Sequence, residues 1–131
     1  MTTGATTAAD LSLGSCETPP TPDCQLMVDV VTAAEALLGQ MFQDGVEDVV
    51  WFFYPDPTDA TLLAKFEVLR PLLQGVCESS TVPCHWLDLR PIFADHYSEY
   101  MLPENLLPTA EGAQATAAAI WSTMQRDCIA Q

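Results

Sequence analysis

"VEDVVWFFYP", residues 46–55, decides how this chain folds. The run is mostly apolar and mixes β-branched with aromatic side chains, the pattern of a strand buried on both faces. Strands of that kind belong to parallel sheets covered by helices, so the run points to an α/β protein. Pro55 and Pro57 stop it. The consecutive aromatics Trp51, Phe52, Phe53 and Tyr54 are expected to be core, with one of them at the sheet's edge, and not a ligand-stacking box. Tyr54 and Asp56 are expected at the C-terminal edge of the sheet, where open α/β sheets bind ligands.

Helical periods flank the strand on both sides. Upstream, Met27, Val30, Val31, Ala34, Leu37, Leu38 and Met41 keep a helical spacing from Gln25 onward. Asp44-Gly45 ends that helix as a C-terminal glycine does. Downstream, Thr58 or Asp59 is the expected N-cap of a second helix, with Leu62, Leu63, Phe66 and Leu69 on one face. Pro71 is expected to kink this helix or to end it at Arg70. "PCHWLDL" (83–89) reads as a further strand and "DLSLGS" (10–15) as an earlier one. "RPIFADHYSEYMLPENLL" (90–107) reads as a loop with one short helix. The last helix is expected over about 109–128, with Ala113, Ala117, Ile120, Trp121 and Met124 turned inward.

The resulting order, βαβαβα, predicts a small three-layer α/β fold with a parallel sheet of about three strands. Residues 1–9 are expected to be a flexible tail and 10–131 one domain. No internal repeat is present.

Composition narrows the partners. The 131 residues are enough to bury a core without metal or disulfide help, and 49% of them are hydrophobic. Against 18 Asp and Glu stand only 4 Lys and Arg, a formal net charge of −14. Such a surface repels phosphate backbones and anionic lipid, so neither nucleic acid nor a membrane surface is expected as partner. Solubility is the plain reading of the charge; halophilic adaptation or a cationic partner are the alternatives.

"MTTGATTAAD" (1–10) carries no basic and apolar regions of a signal peptide. No run approaches the roughly 18 apolar residues of a membrane-spanning helix. Five cysteines point to an oxidising compartment: Cys77 and Cys84 bracket "ESSTVP", and Cys16 and Cys24 bracket "ETPPTPD". Both are short loops of the size small disulfides close, which leaves Cys128 over. Five reduced cysteines in a cytosolic protein are the alternative, since spacing alone does not establish pairing. Secreted-type cysteines without a secretion signal suggest a piece of a longer secreted protein, or a gene that begins late.

Near the end, "ENLLPTAEGAQATAAAIW" (104–121) feeds a turn into a helix. Its Pro-Thr-Ala-Glu-Gly core resembles the last block of SGNH (GDSL-type) esterases and lipases. There the pattern is aspartate, two residues, histidine, proline, then a small residue and a glycine opening the last helix. "GVEDVVWFFYPDP" (45–57) and "CHWLDLRPIFADH" (84–96) resemble the strands that precede that block. The resemblance runs from Leu11 to about Cys128 and covers the C-terminal half of that family's domain. It implies a flavodoxin-like, three-layer half domain, in a family that hydrolyses esters with a serine, a histidine and a nearby aspartate.

The departures fall on the functional positions. The aspartate position carries Glu104 and the histidine position Leu107, which cannot take a proton from a serine hydroxyl. The family's Gly-x-Asn-Asp block corresponds in position to "LSLGSCE" (11–17), which places Cys16 where the oxyanion-hole asparagine would be and Glu17 beside it. A thiol is a far poorer donor than an amide. No Gly-Asp-Ser segment precedes Leu11, so the family's nucleophile has no counterpart here.

Other constellations offer little chemistry. Cys84 and His85 are adjacent on a strand and point to opposite faces, so a structural or surface His85 is expected. His96, beside Asp95, is the alternative displaced base, although adjacent residues do not orient each other as a triad does. A metal site would need His85, Asp88, Asp95 or His96 to converge without any recognised ligand spacing, so no metal and no cofactor is expected.

These features predict an SGNH esterase-lipase-like domain that lacks hydrolase activity because nucleophile segment and base are missing. The alternatives are an active ester hydrolase, using an unconventional base and a serine such as Ser12 or Ser15 or completed by a second chain, and a non-catalytic binding or scaffold module. A small parallel sheet with an open edge further predicts a homodimer, or a partner chain, joined through that edge.

Overall fold

The computed structural model describes residue 16, residues 19–103 and residues 107–129. In chain order these hold helix α1 (Gln25–Gln43), strand β1 (Val49–Phe53), helix α2 (Ala60–Glu78) and strand β2 (Cys84–Asp88). Two single-turn helices, α3 (Arg90–Phe93) and α4 (Tyr97–Tyr100), lead to helix α5 (Ala110–Arg126). β1 and β2 pair in parallel, from Val49 opposite Cys84 to Phe53 opposite Asp88. Parallel neighbours require a long crossover, and α2 supplies it.

The α/β class therefore holds, with two strands in one sheet among the described residues in place of about three. The strand expected over 10–15, and the tail expected over 1–9, lie outside the described residues. The expected loop of residues 90–107 contains two helical turns, not one.

Alternation along the strands divides the interior. Val49, Trp51 and Phe53 of β1 pack with Met27, Ala34 and Leu38 of α1 and with Leu62, Phe66, Leu69, Leu73 and Val76 of α2. Phe66 meets Phe53 edge-on at 5.0 Å between ring centroids and stacks on Tyr54 at 5.7 Å. A second cluster joins Val50, Leu87 and Leu89 to Phe93, Tyr97, Tyr100 and Met101, with Ala119 and Ile120 of α5 packed against it. β1 is nevertheless not buried on both faces throughout. Phe52, opposite Leu87, is 45% exposed.

Local chemistry explains most element boundaries. α1 ends where Gly45 takes φ +80°, so that Gly45 N donates to Phe42 O and Val46 N to Met41 O. That left-handed position is free of strain only for glycine. α2 is capped by Asp59, whose Oδ1 accepts from Leu62 N at 2.7 Å. Pro71 neither ends nor breaks α2, which continues through it to Glu78. The missing hydrogen bond costs about 3 kcal/mol in a bare helix. Here Leu69, Leu73, Val76 and Cys77 bury the helix on either side of it and offset that cost.

Disulfides Cys16–Cys24 and Cys77–Cys84 are both formed, and Cys128 is an exposed free thiol. The second ties the last turn of α2 to the first residue of β2.

α5 starts at Thr109, whose Oγ1 accepts from Gly112 N at 3.1 Å and donates to Glu99 O at 2.7 Å. Its inward face differs from the expected one. Gly112 and Thr123 are buried, whereas Ala113 and Ala117 are exposed and Trp121 is 59% exposed. The helix is rotated so that Gly112 can press against the backbone of Tyr100, contact that a larger residue at that position would forbid.

Candidate functional site

The residues that close the two strands gather at one end of the sheet. Tyr54 and Asp56 follow β1, and Asp88 is the last residue of β2. Two arginines meet them there. Arg70 projects from α2 with only 6% of its side chain exposed, and its Nη2 donates to Asp56 Oδ1 at 2.5 Å and to Tyr54 O at 3.3 Å. Its guanidinium also lies 5.4 Å from the Phe53 ring centroid, a cation–π contact. Arg90, the first residue of α3, donates through Nε and Nη2 to the Asp88 carboxylate, with Nη2 at 2.7 Å from Oδ2.

The four charges sense one another. Arg90 hydrogen-bonds Asp88 and holds its carboxyl below the ordinary aspartate value of 3.8, against the opposing effect of partial burial, and Arg70 adds a favourable field. Arg90 is raised in turn by Asp88, with Asp56 contributing at longer range. Burial raises the Tyr54 phenol. Tyr97 is raised by burial too; its hydroxyl sits near the Thr58 backbone but forms no hydrogen bond of good geometry.

Between the arginines lies a cleft of about 240 Å³ lined by Glu67, Arg70, Pro71, Gln74 and Arg90. Arg70 Nε is buried without a hydrogen-bond partner. Such an atom ordinarily costs about 1–3 kcal/mol, so its exception asks for an explanation.

The sequence placed Tyr54 and Asp56 at this edge correctly but missed Arg70 and Arg90. A signal was available: two of the chain's 4 Lys and Arg residues stand in Arg-Pro pairs, Arg70 at a possible end of the expected helix and Arg90 directly after the expected strand.

The other candidate residues are dispersed. Leu107 is 57% exposed, and its carbonyl accepts from Leu102 N at 2.9 Å beside the Met101–Pro108 bridge. Glu104, Ser12, Ser15 and Glu17 lie outside the described residues. Cys16 is buried and its sulfur is committed to Cys24. His96 and Asp95 are exposed; His96 Nδ1 lies 3.2 Å from Glu99 Oε2, and its ring stacks on Tyr100 at 4.9 Å.

His85 is held at the opposite end of the strands. Its Nε2 lies 2.9 Å from Asp48 Oδ1, just before β1, and its Nδ1 lies 3.1 Å from Asp127 Oδ2, the C-cap of α5. Arg126 bonds both oxygens of Asp127 and is the main cause of that carboxyl's lowered pKa, with His85 a smaller one. With both ring nitrogens facing carboxylates, His85 ties the start of β1 to the end of α5. Among the described residues no group of three or more His, Cys, Asp and Glu side chains converges as a metal site, and no helix is long and apolar enough to cross a membrane.

Comparisons with family models, curated proteins and solved structures yield no match to this chain.

Proposed function

We propose that the chain is an SGNH-like α/β module of the three-layer, flavodoxin-like kind that does not hydrolyse esters and acts by binding at the C-terminal edge of its sheet. The observation that carries this reading is Leu107. In the position where the resemblance calls for a general base, an exposed aliphatic side chain sits on a loop pinned by its own backbone hydrogen bond. Neither histidine substitutes for it. Both nitrogens of His85 face carboxylates at the far end of the strands, and His96 is exposed against Tyr100. A serine hydroxyl without a positioned base is a weak nucleophile, and loss of the base removes most of a serine hydrolase's rate.

The test is turnover of short p-nitrophenyl esters, compared with an unrelated acidic protein at equal concentration. Background rates are expected, and Leu107→His is not expected to raise them, because a base without a positioned nucleophile and oxyanion hole does little. Turnover that survives repurification and is abolished by a serine-directed organophosphate would establish the active-hydrolase alternative instead.

A further inference from the structure

We infer that the cleft between Arg70 and Arg90 binds a small monoanionic carboxylate that carries a hydrogen-bond donor next to its carboxyl group. This deepens the binding reading above and rests on it for the location of the site.

Three observations converge on the cleft. First, it lies where β1 and β2 end, the side on which open parallel sheets receive ligands. Secondly, a chain with only 4 basic residues puts two of them on its wall, each oriented by an aspartate that leaves other donors over. The hydrogen bonds of Arg70 both run through Nη2 and those of the Arg90 side chain through Nε and Nη2, which leaves Nη1 of each guanidinium to donate; Nε of Arg70 is shielded from the cleft. Thirdly, the remaining wall offers acceptors. Glu67 is a carboxylate, and Gln74 donates its amide to Glu78 Oε1 at 2.8 Å, which leaves Oε1 of Gln74 to accept.

Charge selects among anions. Asp56, Asp88 and Glu67 outnumber the two guanidiniums by one charge, so a dianion is repelled about twice as strongly as a monoanion, and the monoanion is held by directed hydrogen bonds and not by net charge. A planar carboxylate also matches the guanidinium fork, while a neighbouring hydroxyl or amine would satisfy Glu67 or Gln74. The volume, about 240 Å³, is below that of drug-sized pockets and suits a molecule of a few heavy atoms.

Arginine Nε–H correlations in ¹⁵N-labelled protein test this directly, since the chain's arginines are Arg70, Arg90 and Arg126. Sodium glycolate is the probe; sodium chloride and sodium phosphate at matched ionic strength are the controls. Glycolate is expected to move the Arg70 and Arg90 signals saturably and to leave Arg126 in place. Arg90→Gln, at a half-exposed position, is expected to weaken glycolate roughly tenfold while the protein stays folded, with a melting temperature lowered only slightly by loss of the exposed Asp88 pair. Arg70→Lys, which removes one of the two guanidinium forks, is expected to abolish the response of Arg90. The proposal is overturned if all three signals drift alike with every salt, or if phosphate moves Arg70 as glycolate does. Failure here with no esterase turnover would leave the non-hydrolytic reading standing. Glycolate binding together with organophosphate-sensitive turnover would sink that reading and leave the carboxylate cleft.

Discussion

The backbone carbonyl of Tyr100 occupies the space that a side chain on Gly112 would need. This contact seats the first turn of α5 against α4, beside the hydrogen bonds from Thr109 N to Tyr100 O and from Thr109 Oγ1 to Glu99 O. Gly→Ala ordinarily favours a helix by 0.5–1 kcal/mol or so. Here the obstacle is backbone and cannot swing aside, so Gly112→Ala is expected to destabilise by about 2–3 kcal/mol. Urea denaturation checks the sign; an unchanged or higher midpoint would contradict the close packing.

His85 links segments that lie far apart in sequence, Asp48 and Asp127. Replacing it by leucine leaves two carboxylates largely covered and without their shared partner. His85→Leu is expected to cost about 1–2 kcal/mol. In a double-mutant cycle with Asp48→Asn, the two losses are expected to be less than additive, and simple additivity would mean that the tie contributes nothing.

Asp88 makes stability depend on acid. Its folded carboxyl lies below the ordinary value of 3.8, chiefly through its hydrogen bonds to Arg90. The contribution is therefore present above that value and is lost as pH falls through the depressed folded value. Both side chains are about a third or more exposed, so the amount is expected to stay under about 1 kcal/mol. Unfolding midpoints followed downward from neutral pH should fall less steeply for Asp88→Asn than for the parent; parallel curves would show that the pair carries no acid dependence.

The two disulfides close loops of sequence separation 8 and 7. Thiol titration of denatured, unreduced protein is expected to find one thiol, Cys128. Replacing Cys77 and Cys84 together by serine is expected to cost about 2 kcal/mol, largely by freeing the unfolded chain. Five titratable thiols would refute both bridges.

Association through the sheet edge or its uncovered face is also a testable proposal. Phe52 is 45% and Trp121 59% exposed, and apolar surface of that kind can mark an interface. The charge of −14 per chain opposes self-association, so salt should favour it by screening. Light scattering is expected to give a mass above one 14.3 kDa chain, rising with ionic strength. A single 14.3 kDa species at every salt and protein concentration would end the idea.

Sequence alone located the features whose causes are local, although it left Thr58 or Asp59 open as the cap of α2 and the pairing of the cysteines undecided. The Gly45 terminus of α1, the Asp59 and Thr109 caps and the short cysteine loops each act within one turn or one tight loop, and each could be read from neighbours in the chain. Tertiary structure decided the rest, because it depends on what packs against a residue from elsewhere. Pro71 stays inside α2 only because the helix is buried on either side of it. The buried face of α5 runs through Gly112 and Thr123, and not through Trp121, because Tyr100 admits nothing larger than glycine. Arg70 reaches Asp56 across 14 residues and His85 reaches Asp127 across 42. Periodicity carries no information about such partners: they meet only after the parallel crossover has closed.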